Sequence, residues 1–78
     1  MKNLIFKTPP LDLHGCNYED AKIKVENYVL CRQAYFPLKI ITGNSEKMKN
    51  IVIDFIKSNR FQYKIGDPFN QGYIVVSK

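Results

Sequence analysis

Apolar and polar positions change rhythm several times along this chain, and each change marks an element. Leu11-Asp12-Leu13-His14 alternates with a period of two, which predicts a half-buried strand that Gly15 ends. Ahead of it, residues 1–10 read as an extended arm, because Pro9-Pro10 holds the backbone out of helix. Tyr18, Ala21, Val25, Tyr28 and Val29 then recur at helical spacing and predict a helix through about Ala34. Asn17 is its N-cap, and Glu19 and Asp20 fall in the first turn, where the helix dipole favours negative charge. Ile23 and Leu30 lie on the opposite side of that helix.

Pro37 separates this helix from Leu38-Lys39-Ile40-Ile41-Thr42, a second strand of β-branched character. Gly43-Asn44-Ser45 is a turn in which Asn44 or Ser45 can cap the next helix. Met48, Ile51, Val52, Phe55 and Ile56 give that helix a clean i, i+3, i+4, i+7, i+8 stripe. Asn59 is expected to close it in a left-handed conformation. Phe61 to Ile65 alternates as a third strand, residues 66–72 form a loop, and Tyr73 to Ser77 is the fourth strand.

The order β-α-β-α-β-β predicts an α+β fold in two layers. The first two strands are joined by a helix, so they should be parallel neighbours through a right-handed crossover. The last two are joined by a loop short enough for antiparallel pairing. Both helices then cover one face of a four-stranded mixed sheet, and the other face stays open.

Composition narrows what such a fold can do. At 78 residues the chain holds one domain. A domain this small buries only about 60% of its unfolded surface, so a deep enclosed cavity is excluded and any chemistry sits on a face or an edge. With 45% hydrophobic residues it is too apolar for a disordered tail. Twelve Lys plus Arg against seven Asp plus Glu give +5, a balance that points toward phosphate-bearing partners. The lysines are scattered, so only the fold can gather them.

Cys16 and Cys31 form no C-x-x-C pair and read as free thiols of a cytoplasmic protein. Leu4-Ile5-Phe6 is too short for a signal-peptide core, and nothing approaches a membrane span, so no membrane partner is expected. The expected state is a monomer or weak dimer.

The predicted topology brings chemistry to one edge. The carboxyl ends of the two parallel strands lie side by side, each running into a helix N-terminus. His14-Gly15 and Thr42-Gly43-Asn44-Ser45 should therefore meet where free backbone N–H groups suit a phosphate. Strand alternation turns Asp12 and His14 to the open side with Lys39, Gln62, Lys64 and Tyr73. A carboxylate and an imidazole two residues apart can share a proton transfer. They can also hold a divalent ion, Mg or Mn, although two donors make an incomplete site. A plainer reading pairs Asp12 with Lys39 across the strands and leaves His14 and Tyr73 as ordinary surface residues. Cys16 is read as packing.

Leu11-Asp12-Leu13-His14-Gly15 resembles the LDLHG signature that opens the small MutS-related (Smr) domain. The resemblance continues through Asp20-Ala21, Val25, Ile40-Ile41-Thr42-Gly43, the second helix and Gly72-Tyr73-Ile74-Val75-Val76, and so covers residues 11–78. It implies the fold of the C-terminal domain of bacterial translation initiation factor three, with sheet order 1-2-4-3. It also implies binding of DNA or RNA, endonuclease activity in several members, and roles in that activity for Asp12 and His14.

The second family motif, H-G-x-G, is altered to Thr42-Gly43-Asn44-Ser45, with Thr for the histidine and Ser for the last glycine. A Thr hydroxyl can donate to a phosphate oxygen but cannot move a proton near neutral pH as imidazole does. The lysine common in that loop is missing, which leaves Lys47 or Lys49 to supply charge, and the glycine-rich tail shrinks to Asn70-Gln71-Gly72.

The expected function is nucleic-acid binding with possible phosphodiester cleavage. Asp12 and His14 are the catalytic candidates. Gly15, Lys39, Thr42, Gly43, Asn44, Ser45, Lys47, Lys64 and Tyr73 are the binding candidates. The alternatives are a non-catalytic DNA- or RNA-binding module, and a protein-interaction module docking through Ile23 and Leu30.

Overall fold

The structure, a computed structural model, describes residues 6–78, so the first half of the expected arm lies outside the described residues. The described half is pinned to the body. The Tyr28 hydroxyl donates to the Pro9 carbonyl at 2.7 Å and lies 3.3 Å from the Thr8 hydroxyl.

The elements follow in the expected order: β1 (Leu11–Asp12), α1 (Tyr18–Cys31), a 3₁₀ turn (Gln33–Tyr35), β2 (Leu38–Ile41), α2 (Glu46–Ser58), β3 (Gln62–Ile65) and β4 (Tyr73–Ser77). The sheet order is β1-β2-β4-β3, with β1 and β2 parallel and the other pairs antiparallel. This is the two-layer α+β arrangement that the hydrophobic rhythm and the resemblance both anticipate.

One cluster joins the layers. Leu13, Leu38, Ile40, Ile74 and Val76 from the sheet side meet Ala21, Val25, Val29, Met48, Val52 and Ile56 from the helices. Each fully buried aliphatic of this kind contributes about 1.5–3 kcal/mol relative to an exposed one. Tyr28 sits at the margin of this core. Tyr18, expected on the same stripe, is exposed instead: it is the first residue of α1, and its ring meets the Lys47 ammonium rather than the core.

Several boundaries differ from the sequence reading, two of them by one residue: β2 ends at Ile41 rather than Thr42, and β3 starts at Gln62 rather than Phe61. β1 stops at Asp12, although the Leu13 N–H still donates to the Ile41 carbonyl at 2.8 Å. α1 ends at Cys31 rather than near Ala34, and the chain tightens into the 3₁₀ turn. The left-handed residue after α2 is Arg60 (φ 60°), not Asn59 (φ −100°). The reason is a Schellman closure one residue later than expected. Phe61 N–H bonds the Ile56 carbonyl at 3.0 Å and Arg60 N–H bonds the Lys57 carbonyl at 3.1 Å. Asn59 contributes through its side-chain amide, which donates to the Phe55 carbonyl at 2.9 Å.

Among the described residues, no helix is long and apolar enough to cross a membrane. Cys16 and Cys31 are both free.

Candidate nucleic-acid interface

Two strand-to-helix turns stand side by side at the carboxyl ends of β1 and β2. In the first, the Cys16 N–H bonds the Leu13 carbonyl at 3.0 Å, and Gly15 at φ 85° takes the place where a type II turn needs a positive φ. The Asn17 carboxamide oxygen then accepts from the Asp20 N–H at 2.8 Å and starts α1. In the second, Gly43 at φ 70° reverses the chain, and the Ser45 hydroxyl accepts from the Met48 N–H at 3.2 Å to start α2. Of the two expected caps, Ser45 is the one used.

These turns enclose a shallow cleft of about 330 Å³ lined by His14, Gly15, Thr42, Gly43, Asn44 and Ser45, with Cys16 and Tyr18 at its side. A second cleft of about 220 Å³ opens on the sheet face between Lys39, Gly43, Asn44, Asn70 and Tyr73. Gly43 and Asn44 form the wall common to both. The His14 ring lies beside this wall: a Cβ on Gly43 would sit at ordinary contact distance, 3.9 Å, from the imidazole Cδ2.

Asp12 is committed locally, since its Oδ1 accepts from the His14 N–H at 2.9 Å and so fixes the chain as it leaves β1. His14 therefore belongs to the turn rather than to the strand, though its side chain is exposed as expected. No ion pair joins Asp12 to Lys39 among the described residues. Nor do any three His, Cys, Asp or Glu side chains gather there to hold an ion, so Asp12 and His14 do not fit a Mg or Mn centre.

Thr42 departs most from expectation. Its side chain is not offered to a ligand: the residue is 3% exposed, and its hydroxyl lies 2.9 Å from the Gly43 carbonyl and 3.3 Å from that of Gly72. The one hydroxyl proton is used inside the loop, which leaves none for a phosphate. The Thr42 and Gly43 N–H groups both donate to the Gly72 carbonyl at 2.9 Å, so the entry to β4 braces this turn.

The lysines divide. Lys47 reaches from α2 to place its ammonium 4.4 Å from the ring centroid of Tyr18, at the rim of the first cleft. Lys49 is buried and lies 3.8 Å from Glu46, so it supplies no free charge. On the open face Lys39 and Lys64 flank Val75 from β2 and β3, which sets their Cα atoms about 10 Å apart at ordinary strand spacing. Lys24 approaches the half-buried Cys16 Sγ at 3.3 Å.

Tyr73 does face the open side, but it is engaged. The Lys39 ammonium lies 4.4 Å from its ring centroid, and its hydroxyl donates to Asp67 Oδ2 at 3.0 Å. Asp67 Oδ1 accepts from the Phe69 and Asn70 N–H groups at 2.8 and 2.7 Å. Those two backbone bonds, then the Tyr73 hydroxyl, hold the Asp67 carboxyl below the ordinary aspartate value, with Lys39 adding a smaller pull. The bond to Asp67 pushes the Tyr73 phenol up, and burial adds to the shift.

Sequence reasoning missed Asp67 as the organiser of this loop and Phe69 at its tip. The Asp67-Pro68-Phe69-Asn70 run carries the signal, an Asx-type turn with an aromatic inside it. Away from this edge, Leu30 is exposed as expected and lines a groove of about 560 Å³ with Val25, Ile51 and Phe55, between α1 and α2; Ile23 is exposed as well.

Compared with protein-family models, with curated proteins and with solved structures, the chain matches none.

Proposed function

We propose that this chain is an Smr-like domain that binds nucleic acid along the edge formed by the two strand-to-helix turns and across the adjoining open sheet. One observation carries the reading. The wall of Gly43 and Asn44 joins two clefts, one beside two capped helix N-termini and His14, the other beside Lys39 and Tyr73. The first turn of a helix has N–H groups without intrahelical acceptors, which suits a phosphate. Lys39, Lys47 and Lys64 supply positive charge to the backbone on either side. A polymer with phosphates at regular intervals can occupy both clefts from outside, so the missing deep cavity is no obstacle.

The test is affinity for DNA and RNA oligonucleotides as a function of salt. Three lysine–phosphate contacts predict a log–log slope of about −2 to −3. Changing any one of the three to Ala should make that slope shallower by about one. Affinity that ignores salt, or none tighter than about 10⁻⁴ M, would overturn the reading.

A second reading, strand cleavage at the same edge, is favoured by the exposed His14 imidazole beside Gly43. There His14 exchanges a proton with the attacking water or the leaving oxygen, and Asp12 positions the turn that carries it. Labelled single-stranded, duplex and structured DNA and RNA, with and without Mg²⁺ or Mn²⁺, should be cut by the native chain and not by His14→Ala. Cleavage that survives His14→Ala removes this assignment.

A further inference from the structure

The open sheet needs an aromatic surface if unpaired bases are to rest on it, and Tyr73, the residue that strand alternation offers, is occupied by Lys39 and Asp67. A free ring stands beside it in the loop before β4. Phe69 is 99% exposed, at the tip of the loop that leads into β4.

That exposure belongs to an ordered segment. Asp67 Oδ1 binds the Phe69 and Asn70 N–H groups, Asp67 and Asn70 exchange backbone bonds at 2.9 and 3.2 Å, and Asn70 Oδ1 accepts from the Gly72 N–H at 2.9 Å. The Gly66 N–H donates to the Tyr73 carbonyl at 2.8 Å and closes the base of the loop. A large apolar ring is thus held in water on a preformed support. Its neighbour Asn70 lines the same cleft as Lys39 and Asn44.

We infer that Phe69 is a stacking platform for an unpaired nucleobase, and that the strand this domain prefers is single-stranded or contains unpaired nucleotides. The inference rests on the nucleic-acid reading above and sharpens its substrate class. Every base has a π-face, so one exposed ring serves any sequence. In a continuous duplex both faces of each base are already covered by neighbours, which leaves Phe69 nothing to stack on. The surroundings favour a base over an apolar protein pocket. Asp67, Asn70 and Gln71 flank the ring in the loop, Lys39 and Asn44 border the adjoining cleft, and the chain carries +5.

The experiment uses the full chain with an oligothymidylate or oligouridylate strand and with a long duplex. Phe69→Ala should weaken single-strand affinity by about tenfold or more and leave duplex affinity unchanged. Phe69→Leu, which keeps apolar bulk without a π-face, should lose nearly as much. The chain has no Trp, so Phe69→Trp introduces the sole indole. Its fluorescence should be quenched by the single strand and not by the duplex.

If the native chain binds the strand with the expected salt dependence and Phe69→Ala binds equally well, this inference falls while the nucleic-acid reading stands. If Phe69→Leu keeps full affinity where Phe69→Ala loses it, the contact is apolar packing and stacking is refuted. If the native chain binds neither probe, both readings fall together.

Discussion

The turns after β1 and β2 share a frame and differ in their contents. Each has a glycine at positive φ, Gly15 at 85° and Gly43 at 70°, and each ends in a side chain that caps the third residue of its helix. Yet the residue before the glycine is exposed in one, His14, and buried in the other, Thr42. The difference traces to their neighbours. β1 is an edge strand, and among the described residues no backbone bond from a distant segment reaches His14 or Gly15. β2 lies between β1 and β4, and the chain entering β4 passes Gly72 directly over the second turn. A position that is chemically free on an edge strand becomes a staple on a central one. The same backbone frame therefore supplies a candidate proton carrier in one copy and a brace in the other.

The strongest challenge to this contrast is to exchange the two side chains. Thr42→His forces an imidazole into a site packed for a threonine, and overpacking of that kind costs about 1–3 kcal/mol. His14→Thr acts on the surface and should change stability by no more than about 0.5 kcal/mol. Urea unfolding of both variants decides the matter. A Thr42→His protein as stable as the native chain would mean that the second turn opens easily, and the contrast would fail.

How much of this was readable beforehand follows from where each residue's constraints come from. The core stripe of α2 and the alternation of β2 and β4 are local patterns enforced by burial, so the layers were legible. The meeting of His14 with Gly43 was legible too, because parallel strands place their carboxyl ends together. The fate of Thr42 was not. Whether its hydroxyl faces a ligand or a carbonyl depends on Gly72, thirty residues away in the sequence, and on the path of the last loop. Lys49 was legible in part: its i, i+3 partner Glu46 follows from helix spacing, whereas its burial does not. Phe69 was passed over because a loop aromatic gives no periodicity to read.

A smaller effect measures how far the two frames are equivalent. A Cβ at Gly15 would meet nothing within 4 Å, and at Gly43 only the His14 ring at ordinary contact distance. Gly15→Ala and Gly43→Ala should each cost about 1–2 kcal/mol, the penalty of an L-residue at left-handed φ. A difference between them of more than about 1 kcal/mol would show that one turn bears strain the other lacks. Gly43→Ala should in addition weaken oligonucleotide binding, since its methyl group would stand on the wall common to both clefts.

The smallest effect is a pH dependence that reaches the braced side through Asp67. The folded-state value of Asp67 lies below the ordinary 3.8, so its contribution to stability is present above about pH 4 and is lost as the pH falls through the depressed value. Tyr73 works in the opposite sense. Its phenol is raised above 10.0, so its contribution is present below about pH 10 and is lost as the pH rises through the folded value. Asp67 is exposed and Tyr73 is half-buried at the surface, so solvent screening keeps these effects modest.

Protonating Asp67 weakens the charged acceptor that organises Phe69 and Asn70, and loosening there passes to Gly72, whose carbonyl holds the Thr42 and Gly43 N–H groups. Amide exchange at Thr42 and Gly43, corrected for the intrinsic pH dependence, should therefore accelerate on acidification. Exchange at Cys16, whose partner is the Leu13 carbonyl in the other turn, should respond to acid identically in the native chain and in Asp67→Asn. Asp67→Asn should remove the acid sensitivity from the Thr42 and Gly43 amides. If those amides respond to acid equally with and without Asp67, the brace does not run through this carboxylate, and the second turn owes its order to Thr42 and Gly72 alone.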